Sequence, residues 1–349
     1  MRFSIRLLII VAFALLLSSP RIISKGSADS GSNHQTRNMH FGVSGGNVND
    51  ITKRFCCSGT LGAMVTAGGN SYVLSNNHVL GLSGQARAGD DISQPGLIDN
   101  GCAASTVVAD FTAAPALGSN VDAAVALLRP GLMDAFGFIE DIGVPSSIVR
   151  APSVGLGVAK SGRTTGFTTG TIASINTSVN VQYQRSCGQG KKFVVSYTNQ
   201  VVINSSTFSA GGDSGSLIVT NDTNHQPVAL LFAGSSTTTI GNPIGQVLTQ
   251  LSNTLGRTVS FVGTTQAASM TTLANSQDVE QATQVKKRHE QSLMSRSDVF
   301  GVGAGLGEDG RAEVVIYADR GPVRISALPE YLDGVKVRVV RTEPFSANW

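Results

Sequence analysis

Residues 211–219 read Gly-Gly-Asp-Ser-Gly-Ser-Leu-Ile-Val, and this stretch gives the first indication of the fold. A turn of small residues holds one serine, Ser214, directly before an apolar run that is typical of a buried strand. Glycines at such a turn let backbone N–H groups approach a reacting carbonyl without obstruction by side chains. The stretch fits two interpretations, a tight turn that enters a strand and a turn that presents a nucleophile. A histidine and an aspartate in suitable upstream settings would favour the second.

Both residues are present upstream. His78 lies at the end of the apolar, strand-like run 72–80, and Asp122 lies at the start of a second such run, 120–128. A serine hydroxyl needs a neighbouring base to take its proton, and imidazole suits that task near neutral pH. A buried carboxylate then fixes the imidazole tautomer. The chain order His, Asp, Ser is that of chymotrypsin-like peptidases, whereas subtilisins and α/β-hydrolases have other orders.

The segments around His78, Asp122 and Ser214 resemble those of chymotrypsin-clan (trypsin-like) serine peptidases. Residues 160–172, Lys-Ser-Gly-Arg-Thr-Thr-Gly-Phe-Thr-Thr-Gly-Thr-Ile, resemble a hairpin of the bacterial α-lytic protease and streptogrisin group. The chain is also similar to less studied bacterial and plant trypsin-like proteins with Leu-Ser-Asn-Asn-His-Val-Leu around the histidine. The resemblance covers residues 51–263 and implies a mainly β protein with a chymotrypsin-like double β-barrel.

The resemblance also implies roles for single residues. Ser214 would attack the scissile carbonyl, and the backbone N–H groups of Gly212 and Ser214 would form the oxyanion hole. Asp213 would point away from the serine and need a buried cationic partner. In the α-lytic group an arginine of the hairpin is that partner; the aligned residue here is Lys160, with Arg163 three residues on as the alternative. Lysine departs from the family pattern because it cannot form a bidentate fork.

The substrate pocket is expected to be apolar. The resemblance places Phe208 at the base of the primary pocket and the strand residues Phe232, Ala233 and Gly234 along its wall. None of them is acidic, so we expect cleavage after an apolar or small residue rather than after Lys or Arg. The expected chemistry needs no metal and no cofactor. The partner is a protein or peptide substrate.

The composition fits an all-β body. Glycine is abundant, with 40 residues, whereas charged residues make up only 14% of the chain. Thr, Ser and Val recur in short runs interrupted by Gly and Asn, which is typical of many short strands. A chain of 349 residues is long enough for one two-barrel domain and a smaller module.

Residues 1–28 have the pattern of a secretory signal peptide. Two arginines precede an apolar run at 7–17, which is too short to span a bilayer comfortably, and small residues follow up to Ala28. We therefore expect a secreted or periplasmic protein with no stable membrane insertion after the signal is removed. Removal takes away four basic residues and no acidic ones, so the net charge of +3 becomes −1. The basic balance therefore gives no support for nucleic-acid binding.

The four cysteines indicate disulfides, because an exported chain meets oxidising conditions and no Cys-x-x-Cys pair points to zinc. Adjacent Cys56 and Cys57 cannot easily serve the same partner. We expect Cys57 to pair with Cys102, which leaves Cys56 for Cys187. A single bridge is the alternative. The histidines outside the triad, His34, His40, His225 and His289, are expected at the surface.

The sequence predicts further segments on both sides of the protease. Residues 29–50 form an N-terminal extension, 264–275 a linker, and 276–349 a small C-terminal α+β module. In the module we predict a helix at 276–296, strands at 299–306, 312–317 and 335–340, and a helical turn at 329–334. The module resembles one found ahead of the protease in related bacterial proteins. It is either a structural or inhibitory pro-segment that docks on the protease, or a permanent domain that recruits substrate or partners.

Two functions from different classes follow. The first is an exported serine endopeptidase that acts through an acyl-enzyme. The alternative is a catalytically silent protease-fold binding or scaffold protein whose module recruits partners.

Overall fold

The computed structural model describes residues 32–265, 276–321 and 328–347. The predicted signal peptide, 1–28, and residues 266–275 of the predicted linker lie outside the described residues. Three α-helices are present in the described ranges: α1 Asn77–Leu80, α2 Ile244–Leu255 and α3 Ser276–Met294. None of these helices combines the length and the apolar character needed to cross a bilayer.

The first half of the chain supplies seven of the eight strands of one curled antiparallel sheet. These strands are β1 Val43–Asn47, β2 Gly59–Leu61, β3 Ala63–Ala67, β4 Asn70–Ser75, β5 Asp91–Gln94, β6 Thr106–Ala113 and β7 Ala124–Leu128. The second half begins with β8 Gly157–Gly162, β9 Gly166–Ser186, β10 Gln189–Asn204, β11 Leu217–Thr220, β12 Pro227–Ser235, β13 Thr238–Pro243 and β14 Ser260–Phe261. The last strands are β15 Val299–Leu306, β16 Ala312–Asp319, β17 Tyr331–Leu332, β18 Val335–Thr342 and β19 Phe345–Ser346.

The first sheet has the order β14-β3-β4-β7-β6-β5-β1-β2. Its end strand β2 is followed along the chain by β3, with only Gly62 between them, so the sheet curls back on itself. Strand β1 belongs to this sheet although it lies in the predicted N-terminal extension. Apolar side chains from these strands fill the interior, with Leu61, Val65, Leu74 and Val125 fully buried.

The second sheet contains a closed six-stranded ring, β10-β13-β12-β11-β8-β9, because β9 and β10 also pair with each other. The chain is therefore mainly β and has the chymotrypsin-like double β-barrel expected from the sequence. Strands β9 and β10 form a hairpin, and each of them is much longer than any other strand. The hairpin carries Cys187 in the turn between its two strands.

The module continues the second sheet. Strand β15 pairs antiparallel with β9, β16 with β15, and β18 runs parallel to β16. Helix α3 covers one face of this sheet, where Ala282, Val285, Val302 and Ile316 form a separate buried cluster. The short strand β19 leaves the module and pairs with β12 and β9.

Two expectations about local structure were wrong. Residues 329–334 were expected to form a helical turn, but β17 forms a hairpin with β18. The turn residues Asp333 and Gly334 have φ values of +47° and +81°. An Asp-Gly pair with two positive φ values is the combination that tight hairpins favour, so the turn chemistry overrides the helical tendency of the preceding residues.

The expected disulfide pairing was also wrong. The bonds join Cys56 to Cys102 and Cys57 to Cys187. Cys56 pairs with Ile51 in a β-bridge, so this segment is extended and consecutive side chains leave on opposite sides. Cys56 therefore meets Cys102, whereas Cys57 reaches the tip of the β9–β10 hairpin. The second bond ties that tip to the first barrel.

Candidate active site

The three predicted catalytic residues lie at the junction of the two barrels. His78 is on α1, directly after β4, Asp122 precedes β7, and Ser214 precedes β11. The Asn76 amide donates to the Asp122 carbonyl at 2.7 Å, and the Asp122 N–H donates to the Asn242 side chain at 2.9 Å. Polar side chains from both barrels therefore fix the backbone around the aspartate.

The aspartate and the histidine form a buried pair. The Nδ1 atom of His78 lies 2.6 Å from Asp122 Oδ2, and the His78 backbone N–H donates to Asp122 Oδ1 at 3.1 Å. Asp122 is completely buried and His78 is 7% exposed. The contact uses Nδ1 and leaves Nε2 as the ring nitrogen of His78 that does not bind Asp122.

A tyrosine that the sequence reading missed also binds Asp122. The Tyr183 hydroxyl donates to Asp122 Oδ2 at 2.8 Å and lies 2.6 Å from the Tyr197 hydroxyl. Burial, reinforced by the negative charge of Asp122, raises the pKa of Tyr183 well above its ordinary value. Both tyrosines therefore stay protonated and act as donors. Both come from the long hairpin.

Ser214 is 4% exposed and its side chain has an unexpected partner. Its Oγ–H points to the carbonyl oxygen of Ala347, at 3.4 Å, rather than to His78. Ala347 directly follows β19. Ser346 pairs antiparallel with Gly234 of β12, and the Ala347 N–H donates to the Gln182 carbonyl at 3.1 Å. A strand of the module therefore ends at the serine.

The predicted oxyanion-hole residues have a suitable backbone. Gly212 has a φ of +98°, and a Cβ there would lie 2.5 Å from the Thr164 hydroxyl oxygen, so only glycine fits. Within the described ranges, the N–H groups of Gly212 and Ser214 donate to no protein acceptor, whereas the Asp213 N–H donates to Ala210. The turn therefore presents two free N–H groups, that of Gly212 and that of the serine itself.

The side chain of Asp213 is completely buried and well satisfied. Its Oδ1 atom accepts from the backbone N–H groups of Thr164 and Thr165, at 2.8 and 3.2 Å. Its Oδ2 atom accepts from the Thr165 hydroxyl at 2.7 Å and from the Ala210 N–H at 2.9 Å. The β8–β9 turn therefore wraps around the carboxylate.

Lys160 is the cation next to Asp213. Its Nζ atom lies 3.5 Å from Asp213 Oδ2 and donates to the Thr165 hydroxyl and to the Gly166 carbonyl. Burial lowers the pKa of Lys160, and the charge of Asp213 opposes this effect. The alternative cation, Arg163, instead forms a bidentate pair with Asp99, with both N–O distances at 2.6 Å.

The predicted pocket residues lie in two places. Phe208 is fully buried in an apolar cluster inside the second barrel, where it packs close to Gly170. Phe232 and Ala233 are also fully buried, in a cluster that they share with Phe345 and Ala347. Gly234 pairs with Ser346 through its backbone. The β12 residues therefore contact the segment that ends at the serine.

Among the other histidines, the expectation for His34 was wrong. Its ring is 5% exposed, and its Nε2 lies 2.9 Å from Asp141 Oδ2. Within the described residues, one group of possible metal ligands gathers closely: Asp50, Cys57 and Cys187, whose ligand atoms lie within 4.8 Å of one another. Because the two sulfurs form a disulfide, they cannot bind as thiolates.

The chain is similar to known proteases. The sequence profile of peptidase family S64 matches residues 50–236, more than half of the chain. A glutamic acid specific serine protease of known structure is 21% identical, with a TM-score of 0.44, over 63% of this chain and 98% of its own. Thermobifida fusca Protease A is 17% identical with a TM-score of 0.43, and the match covers 64% of this chain and 98% of that protease. An α-lytic protease homologue, N4, is 19% identical with a TM-score of 0.37, and the match covers 56% of this chain and 90% of the homologue. No curated protein matches the chain.

Proposed function

The chain belongs to peptidase family S64, and from that membership we propose that it is an exported serine endopeptidase. It would hydrolyse peptide bonds through His78, Asp122 and Ser214. The observation that carries the proposal is the buried contact of 2.6 Å between His78 Nδ1 and Asp122, in the cleft that also holds Ser214. This contact prepares an imidazole to act as a base.

In the proposed reaction, Ser214 Oγ forms a bond to the carbonyl carbon of the substrate while its proton moves to His78 Nε2. The oxyanion that forms would accept hydrogen bonds from the free N–H groups of Gly212 and Ser214, and one such donor accelerates turnover about 10²–10³-fold. His78 then gives the proton to the leaving amine as the C–N bond breaks. A water molecule, deprotonated by His78, would release the acyl group in the same way.

The surrounding residues would support this reaction. Tyr183 and the His78 backbone N–H hold Asp122 in place, so the carboxylate can orient the imidazole and stabilise its charged form. Lys160 and the β8–β9 turn neutralise Asp213 and keep the glycine turn in the shape that exposes both oxyanion donors. No cofactor enters any step.

For substrate preference, we propose an apolar or small residue before the cleaved bond. The β12 residues Phe232 and Ala233 that would line the acyl side are apolar, as is the cluster around them. Ala347, whose carbonyl lies at Ser214, is itself a small residue. For localisation, the two disulfides support an exported protein, because such bonds persist in oxidising compartments.

For the module, we propose an inhibitory role. Strand β19 adds to β12 in the way an extended peptide adds to an exposed sheet edge, and it brings the Ala347 carbonyl to the serine. A substrate that used the same edge would have to displace it. The other role, a permanent domain that recruits substrate or partners, requires no such contact.

The enzymatic function is tested with a small fluorophosphonate probe that reacts with activated serines. We expect the full chain to be labelled and the Ser214→Ala variant to remain unlabelled. The proposal would be contradicted, and a silent scaffold favoured, if neither the correctly folded wild type nor a Phe345→Ala variant, which removes the buried anchor of β19, reacted with the probe or cleaved peptides.

A further inference from the structure

A cavity of about 300 Å³ opens at the serine, and one of its walls carries a carboxylate that the proposed mechanism does not use. His78, Ser214 and Ala347 line the cavity together with Asp50. Asp50 follows β1 of the first barrel, whereas β12, along which the β19 segment runs, belongs to the second barrel. The carboxylate therefore lies across the cleft from the acyl side.

The direction of a bound peptide follows from β19 and His78. The β19 segment runs along β12 and brings its carbonyl to Ser214, so residues before a scissile carbonyl would follow β12. The leaving amine must receive its proton from His78, so residues after the scissile bond would pass the imidazole. Asp50 and His78 line the same cavity, which places the carboxylate beside that exit path.

Among the described residues, no cation forms an ion pair with the Asp50 carboxylate. Within the described part of the chain its side chain accepts no hydrogen bond, and the two ionisable groups that share its cavity are engaged elsewhere. His78 binds Asp122, and Arg163 binds Asp99. Burial raises the pKa of Asp50 to about 6, and the charge of His78 opposes this effect only in part.

The apolar surroundings of Asp50 suit one kind of ligand. Its carboxylate lies within 4.8 Å of both sulfurs of the Cys57–Cys187 bond, and Ile98 lines the same cavity. Lysine and arginine side chains pack an apolar stem against such a surface and place a charged head at its end. A cation there would form a partly buried, charge-assisted pair with the carboxylate.

We propose that Asp50 makes the enzyme prefer substrates with a lysine or arginine in the first two positions after the cleaved bond. This proposal rests on the proposed peptidase function. It concerns the leaving side of the substrate, and the preference for an apolar or small residue on the acyl side is independent of it.

The test uses the full chain and pairs of internally quenched peptides with an identical acyl side and a small residue before the cut. Within a pair, one peptide carries Arg and the other carries Gln at a single position. That position is either the first or the second residue after the cut. At pH 8 we expect kcat/KM to be about tenfold higher for the Arg peptide at one of the two positions, which corresponds to about 1.4 kcal/mol. In Asp50→Asn the ratio should fall to about one. The matched control Asp278→Asn, an exposed acid of α3, should keep the wild-type ratio.

A second measurement needs no variant. As the pH falls through about 6, Asp50 gains a proton and loses its charge, so the Arg-to-Gln ratio of the wild type should fall toward one. Any effect of pH on the chemical steps that the two peptides share cancels in the ratio. A wild type that cleaves both peptides equally at pH 8, or a ratio unchanged in Asp50→Asn, would overturn the role of Asp50. The peptidase function would instead be overturned if both the full chain and its Phe345→Ala variant, which loosens β19, cleaved nothing and resisted the probe.

Discussion

Asp122 shows how single residues hold the catalytic geometry. It accepts hydrogen bonds from the His78 backbone, the His78 ring and the Tyr183 hydroxyl, and all of these groups are buried. In a buried setting each donor has a large effect, because water cannot replace a lost partner. The tyrosine is thus a positioning residue that acts on substrate only through Asp122 and His78.

We therefore predict that Tyr183→Phe lowers kcat about tenfold and leaves KM nearly unchanged. The substitution removes one donor to Asp122, worth about 1.5 kcal/mol for a charged acceptor, and leaves the apolar packing of the ring intact. Steady-state kinetics on a peptide substrate measure the effect. The control is Tyr317→Phe, whose hydroxyl is 2.8 Å from Ser174 in the module sheet and does not contact Asp122. An equal loss in both variants would show that the effect is only structural.

A second prediction concerns the buried cation. Lys160→Met leaves the completely buried Asp213 carboxylate without a nearby cation, so the free energy of unfolding should fall by about 3 kcal/mol. Denaturant unfolding measures this change. The double variant Lys160→Met/Asp213→Asn removes both charges and should recover part of the loss. If the double variant were less stable than Lys160→Met alone, the pairing of the two charges would not explain the effect.

At the scale of elements, the β9–β10 hairpin connects the parts of the molecule. Tyr183 near one end of β9 contacts Asp122, β15 of the module pairs along the same strand, and Cys187 ties the tip to the first barrel. The pairing with β15 also covers an edge of β9 that would otherwise expose unpaired backbone groups. Strand β19 uses the adjacent surface, with Phe345 beside Val181 of β9.

We predict that Phe345→Ala activates the enzyme. The Phe345 side chain is completely buried against Tyr317 and other apolar residues, and its removal takes away the anchor of β19. The segment should then leave the cleft more often, and probe labelling of Ser214 should become at least about tenfold faster, a change of about 1.4 kcal/mol. Arg288→Ala, on the exposed face of α3, is the control and should label at the wild-type rate. Equal rates in wild type and Phe345→Ala would contradict the inhibitory role of β19.

At the scale of the whole molecule, one continuous sheet runs from the second barrel into the module. The ring formed by β8 to β13 closes where β9 pairs with β10. Strand β9 also pairs with β15, and β16 and β18 follow β15 in the same sheet. The module sheet and the tyrosine that donates to Asp122 are therefore joined through this one strand, β9. The cleft, its supporting tyrosine and the strand that covers it thus belong to one structural unit.

Local patterns in the sequence were sufficient to predict the double barrel and the helix and strands of the module. They were also sufficient to nominate His78, Asp122 and Ser214. Each of these rests on a short run of neighbouring residues, such as the glycine turn 211–216 before its apolar strand. The roles of the three residues stay proposals until the chain is assayed. The disulfide pairing could not be read in this way, since it depends on which side of an extended segment each cysteine faces.

Contacts between distant residues were decided only by the tertiary structure. Tyr183 meets Asp122 across 61 residues, and Ala347 meets Ser214 across 133. Asp50 gains its unusual surroundings from a disulfide between two barrels. None of these pairs leaves a local pattern, because a hydrogen bond or a shared cavity depends on position in space. The sequence alone therefore predicted the fold and nominated the three reacting groups, while folding decided which distant residues contact Asp122 and Ser214 and which share the cavity at Ser214.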